Sequence, residues 1–259
     1  MCCTETRCPK CLVPAEKRGD STGQFPWRNQ AFTKHTLHAQ ATGQYPPKFI
    51  THGLCPVFSP FWADLPYTNI FLCISSDILH QLHQGLFKDH LKTWCVTITD
   101  KKNFNTCFRV MPIYPGLCHF KKGISKIKQW TGGDHKQLQQ VFVTTLVGTT
   151  PHQDVLCAGQ SLLDFVYLAQ YLSHTDDTLF AMQLALNDFH AIKTVFIDLG
   201  CCKHFNIPKL HSLHHYIETI KNLGSLDSFK SEHSEHLHID YTKKAYTTSN
   251  CKNYTIQMT

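Results

Sequence analysis

The chain has 259 residues, of which 42% are hydrophobic and 17% charged, a globular balance that excludes a disordered tract and is long enough to bury one large core or two small ones. No apolar run approaches the roughly 20 residues of a membrane span, and the N-terminal Met-Cys-Cys-Thr-Glu-Thr-Arg-Cys lacks a signal-peptide core. The net charge of +6 is compatible with nucleic acid without identifying it.

The 13 cysteines are therefore expected in a reducing compartment, nuclear or cytoplasmic and not secreted, where paired cysteines read as metal ligands before disulfides. The first feature met is Cys8-Pro9-Lys10-Cys11, whose two-residue spacing aims both thiolates at one ion. A redox pair or a chance spacing in a cysteine-rich chain would read the same, and Cys2 and Cys3 are substitute ligands. Residues 14–53 are polar and punctuated by proline and glycine, predicting loops with one helix around Asn29 to Ala41. The aromatic, proline-rich run from Cys55 to Pro66 is too stiff for a helix interior and is expected to pack as an extended segment.

Ser76-Asp77 then offers an N-cap to a helical stripe of Ile78, Leu79, Leu82, Leu86, Leu91 and Trp94. Asp77 and His80 lie one turn apart, placed either to hydrogen-bond each other or to serve as an N-cap beside an exposed imidazole. The segment from Gly116 to Lys128 carries Lys121, Lys122, Lys126 and Lys128, the most basic patch, and Trp130-Thr-Gly-Gly-Asp is expected to turn. Further helices are predicted over Asp134–Val147, Asp154–Leu172, Asp176–Phe196 and Pro208–Leu223. Alternating strand patterns are scarce, so the chain is expected to be mainly α.

On the last of these helices His211 and His215 share a face, as two imidazoles reaching one metal must, and His214 points elsewhere. Joined to Cys8 and Cys11 they would make a closed Cys2His2 site of the kind that holds structural zinc. Cys201, Cys202 and His204 are a rival source of ligands, although adjacent cysteines rarely bind one ion. Glu232 and Glu235 open a final helix through Leu237, Ile239 and Tyr246, where acids are favoured by the helix dipole; ligation of Mg2+ is the functional alternative and needs further acids from elsewhere in the chain. No nucleophile-and-base pair, P-loop or dinucleotide fingerprint is present.

Six segments, taken together and in order, resemble the Plavaka-type transposases of fungal CACTA-like DNA elements: Arg7–Cys11, Pro60–Pro66, Asp77–Lys88, Leu163–Tyr171, Phe205–Tyr216 and Glu232–Asp240. The resemblance implies a DDE transposase with an RNase H-like core, in which three acids and two divalent metals, Mg2+ in the family, cut and join DNA. It implies a helical insertion closed by zinc on Cys8, Cys11, His211 and His215, a third acid at Glu232 or else Glu235, and a structural role for the Asp77–His80 pair. DNA, both transposon ends and target, would be the partner, with homo-oligomers in the full-length family. Any DNA contact would rest on Lys121, Lys122, Lys126 and Lys128.

The expected organisation is a cysteine knuckle over 1–13, a helical insertion domain over 14–205, and over 206–259 the histidine clamp with the C-terminal helical part of an RNase H-like core. In the family the first two aspartates precede the cysteines, so the expectation is a C-terminal transposase fragment, inactive alone. Two other readings stay open: a non-catalytic, zinc-stabilised DNA-binding or interaction protein derived from a transposon, and a helical protein whose cysteines and histidines never meet.

Overall fold

In the computed structural model every residue is described except 1, 2, 5, 22, 23, 118, 119, 122, 125, 126, 128, 129, 151, 258 and 259. Among the described residues there is no strand, and two isolated antiparallel bridges, Cys3 with Leu54 and Cys11 with Trp27, are the only pairings of that kind. The architecture is mainly helical; the described residues display no sheet of an RNase H-like core.

The first third of the chain is loop-rich, with α1 (Gln30–Ala41), α2 (Pro47–Thr51) and α3 (Ile70–Cys73). Asn29 caps α1 by accepting from the Phe32 N–H at 2.8 Å, the local chemistry that lets a polar, proline-flanked stretch hold one helix. The run from Cys55 to Pro66 is non-helical as its prolines dictate, and it buries Trp62 while leaving Phe61 on the surface.

The helical body begins at Asp77, which caps a π-wound helix, Ile78–Leu91, that continues as α4 (Lys92–Thr99). Gly85 in its middle has a structural reason: a Cβ there would meet the Lys209 side chain at 2.1 Å, so the helix can approach the histidine-bearing segment closely. Next come α5 (Lys101–Val110), α6 (Gly132–Val147), α7 (Gln153–Leu168) and α8 (Asp176–Ile192). The sequence reading did not assign α5. It also placed a turn at 130–134, whereas Thr131 is the N-cap of α6 and forms a reciprocal capping box with Asp134. A second reciprocal box, Thr175 with Thr178, starts α8. Helices α7 and α8 form a hairpin through Leu162, Phe165, Val166, Met182, Leu186 and Phe189, all buried.

The end predicted as a single long helix past Ile192 is broken: α8 stops there and a short α9 (Val195–Asp198) follows. Likewise the expected Pro208–Leu223 helix is divided into α10 (Pro208–Ser212), a 3-10 turn over Leu213–His215, and α11 (Tyr216–Leu223). Pro208 at N1 starts it.

One apolar core runs from Ile78 to Leu226, centred on Phe87, Phe104 and Phe142, whose rings meet edge-to-face with Phe87 to Phe142 at 5.0 Å and Phe104 to Phe142 at 5.8 Å. Among the described residues nothing before Ile78 belongs to it, and those of the N-terminal third form two small clusters, Leu37, Leu54 and Trp62, and Cys8, Cys11 and Val13. After Leu226 come α12 (Glu232–His238), a π-wound turn over Ile239–Lys244, α13 (Ala245–Thr248) and α14 (Tyr254–Gln257). None of their described residues is buried.

Candidate metal centre

The site is built where the small N-terminal cluster lies on α10 and the turn after it. Cys8, Cys11, His211 and His215, all buried, place their ligand atoms within 4.8 Å of one another. Cys11 Sγ is 3.1 Å from His211 Nε2 and Cys8 Sγ is 3.3 Å from His215 Nε2. A tetrahedral ion with Zn–S and Zn–N bonds of about 2.3 and 2.05 Å would set sulfur and nitrogen about 3.5 Å apart. The four donors therefore enclose a space of a tetrahedral ion's size, and two thiols with two imidazoles form the donor set zinc takes in closed structural sites. The residues fit the ion: they can hold a metal, and they are drawn from positions 207 and 200 residues apart.

The electrostatics agree with a thiolate centre. The Cys8 thiol is held far below its ordinary value by hydrogen bonding from Cys11, which outweighs burial, with His211 and His215 adding to the effect. Cys11 is correspondingly pushed up, because its proton is held in the hydrogen bond with Cys8 and burial disfavours a second thiolate. A bound dication would displace that proton and leave both as thiolates.

Around the ligands lies a shell that the sequence reading missed. The knuckle is clamped against residues 26–28: Leu12 N–H donates to the Pro26 carbonyl at 2.9 Å and Arg28 N–H to the Lys10 carbonyl at 2.9 Å. Arg28, itself buried, donates Nε to the Cys8 carbonyl at 2.7 Å and Nη2 to the His52 carbonyl at 2.9 Å. Lys10 N–H points at Cys8 Sγ at 3.4 Å. The buried Lys10 ammonium donates to Thr219 Oγ1, whose hydroxyl donates to the His215 carbonyl at 2.6 Å. The two halves are thus joined by a polar chain as well as by the donors. Burial lowers the Lys10 amine to about 8. Trp27 and Phe25 cover the histidines, their ring centroids 5.2 Å from His215 and 6.1 Å from His211. The only sequence signal for this shell is the basic residue inside the knuckle, since basic residues at 10 and 28 look exposed by type.

His214 turns away, as its position on the helix predicts, and stacks on His190 at 5.0 Å. Cys201 and Cys202 are half-buried and outside the cluster, Cys201 lying 3.6 Å from the Trp94 carbonyl. Cys3 is described but is not among the four, and Cys2 lies outside the described residues.

The acids are elsewhere. Glu232 Oε2 pairs with Lys136 Nζ at 2.9 Å, and its other oxygen lies against Gly132, where a Cβ would be 2.4 Å away. Glu235 Oε1 pairs with His80 Nε2 at 2.9 Å, and His80 Nδ1 pairs with Asp77 Oδ2 at 2.7 Å. Ser231 Oγ is also near His80, but at Nδ1, the nitrogen that Asp77 occupies, 3.2 Å away. A hydrolytic relay needs the hydroxyl and the acid on opposite ring nitrogens, so this trio is not one. Of the basic patch, Lys121 is described and exposed, while Lys122, Lys126 and Lys128 lie outside the described residues.

No helix among the described residues is long and apolar enough to cross a membrane. Residues 1–95 match the family described as Plavaka transposase, a span that contains Cys8, Cys11, Asp77 and His80 and stops short of the two histidines and the acids. Neither the curated proteins nor the solved structures yield a match.

Proposed function

We propose, for a chain that is a Plavaka-transposase-related protein over its first 95 residues, that it is the zinc-closed helical portion of a DNA transposase and carries one acid of the catalytic centre. The carrying observation is that Cys8 and Cys11, inside the family match, meet His211 and His215, far outside it, in one buried donor set. This meeting supports reading the helices that follow as part of the same transposase-derived unit.

In this reading zinc has no part in the chemistry. Its four ligands leave no open position, and its contribution is to fix the start of the chain onto α10 and α11. Glu232 is the acid offered to the catalytic metals, since its one ion-pair partner among the described residues is Lys136, whereas Glu235 is taken up by both His80 and Ser231. Mg2+, when bound, would stabilise the entering and leaving oxygens of the DNA phosphate. Two further acids would be needed beside Glu232, so catalysis by these residues alone is not expected. The RNase H-like setting of Glu232, the contact of Lys121, Lys122, Lys126 and Lys128 with DNA, and a nuclear site of action belong to the same proposal.

The test is DNA binding by the zinc-loaded chain across a salt series. The expected result is measurable affinity at low salt, lost steeply as salt rises because phosphate contacts release counterions, and weakened by neutralising Lys121 and Lys122 together. A zinc-loaded, folded chain with no affinity for DNA at low salt refutes the proposal.

A further inference from the structure

Beyond Leu226 none of the described residues is buried, and the helix that carries Glu232 and Glu235, with the turns that follow it, leaves Leu237, Ile239 and Tyr246 about two-fifths exposed. Its position on the molecule is therefore set by polar contacts, and most of these converge on two residues at the far end of the π-wound helix. Asp77 uses both oxygens. Oδ2 accepts from the His80 N–H at 2.7 Å, the ordinary duty of an N-cap. Oδ1 accepts from the Ser231 N–H at 2.7 Å, across 154 residues, at the residue that begins the acid-bearing helix. His80 is bridged in the same way, with Asp77 on Nδ1 and Glu235 on Nε2. Ser231 Oγ closes the group by contacting His80 Nδ1 and Glu235 Oε1, each at 3.2 Å. Although burial acts to raise it, the Asp77 carboxyl is held below its usual range by the His80 and Ser231 N–H groups.

We infer that Asp77 and His80 are positioning residues: a polar latch that fastens the acid-bearing helix to the helical body by occupying Glu235, while Glu232 is held, among the described residues, only by its pair with Lys136. An N-cap role accounts for one oxygen of Asp77 and for neither ring nitrogen of His80; the second oxygen goes to Ser231 and His80 Nε2 to Glu235, both on the distant segment, while His80 Nδ1 lies between Asp77 and Ser231. The inference rests on the proposed role of Glu232 for its meaning, but the latch itself is a property of the fold. It can therefore be tested without DNA or catalytic metal.

The experiment is hydrogen exchange on the full zinc-loaded chain. Asp77→Ser keeps a capping oxygen for the π-wound helix but has none left to reach Ser231. It should speed exchange of the amides over 231–238 roughly tenfold, the worth of one or two lost hydrogen bonds, with the amides over 78–91 unchanged. His80→Ala and Glu235→Ala should each speed the same amides several-fold, and the double variant no more than the larger single one, because the two act through one contact. His80→Gln, whose amide can still donate to Glu235, should recover part of the protection lost in His80→Ala. Unchanged exchange over 231–238 in Asp77→Ser, faster exchange confined to 78–82, additive effects of His80→Ala and Glu235→Ala, or no recovery in His80→Gln would each overturn the latch. A chain that passes these tests and yet binds no DNA overturns the proposed function and leaves the latch standing.

Discussion

Removing one ligand of the Cys2His2 cluster should release the N-terminal third of the protein while the helical body stays folded. The reason lies in where the apolar core is: it starts at Ile78, and among the described residues before it the buried non-thiol apolar side chains are Val13, Leu37, Ala39, Leu54, Trp62 and Phe71. Each such side chain contributes about 1.5–3 kcal/mol on burial. Burial so sparse cannot hold the segment by itself. Tying its far end at Cys8 and Cys11 to His211 and His215 closes a loop back to Asp77, a constraint worth about 4 kcal/mol by the chain-entropy relation for loops of this order, or roughly a thousandfold in the population of the docked form. Cys8→Ser, His215→Ala or chelation should therefore abolish bound zinc and, by loosening the backbone around the already exposed Lys17, Lys34 and Lys48, speed tryptic cleavage there at least a hundredfold. A resistant fragment beginning near residue 78 should remain. His214→Ala, an imidazole one residue away that faces His190, should keep both the zinc and the protease resistance. Full zinc content in Cys8→Ser and His215→Ala, or a cleavage pattern indifferent to chelation, would refute the argument.

Arg28→Ala removes the two bonds that hold the Cys8 and His52 carbonyls; zinc affinity measured by competition with a chromophoric chelator should fall about 10- to 100-fold. Phe142→Ala empties the centre of the aromatic core and should cost about 3–5 kcal/mol in denaturant unfolding, whereas Phe180→Ala, 70% exposed, should stay within about 0.5 kcal/mol. His83 and His135 are pushed down to about 4 by burial, with Lys136 acting on the first and His83 on the second. Their folded values lie below the unfolded one, so the unfolded chain binds protons first: the stability is whole above about pH 6.5 and is lost as pH falls toward 4. At pH 5 each should cost about 1–2 kcal/mol, and His135→Gln should flatten that slope in unfolding curves taken between pH 7 and 5.

The helical content was legible because caps and apolar stripes are local signals: Asp77 before Ile78, Thr175 before Asp176 and Pro208 at N1 all act within one turn. The metal donors were legible for a different reason, since Cys-x-x-Cys and a histidine pair four apart are each half of a site and only complete one another. What stayed hidden depends on tertiary partners. Helix α5 has two buried apolar residues, Phe104 and Phe108, too few for a stripe, and forms because both rings are received by the core. Lys10 and Arg28 are buried although their type argues for exposure, because backbone carbonyls and a threonine hydroxyl take up their donors. The second oxygen of Asp77 could not be assigned from sequence either, since its partner is 154 residues away.

The two fastenings differ in kind, and the difference bears on how the acid would be used. The clamp is buried and closed, so it sets a fixed geometry between the knuckle and α10. The latch joins half-exposed groups, His80 and Glu235 being 48% and 47% accessible, and such contacts contribute only about 0–1 kcal/mol each in water. A helix held this loosely, with Leu237, Ile239, Tyr241 and Tyr246 turned to solvent, gains little from its own chain. Its apolar side chains are available to pack on another surface. Ile239→Ala should therefore leave the unfolding free energy of the isolated chain unchanged to within about 0.5 kcal/mol. A loss of 2 kcal/mol or more would mean that the helix is anchored through its apolar face, and the latch would then be unnecessary for holding Glu232 in place.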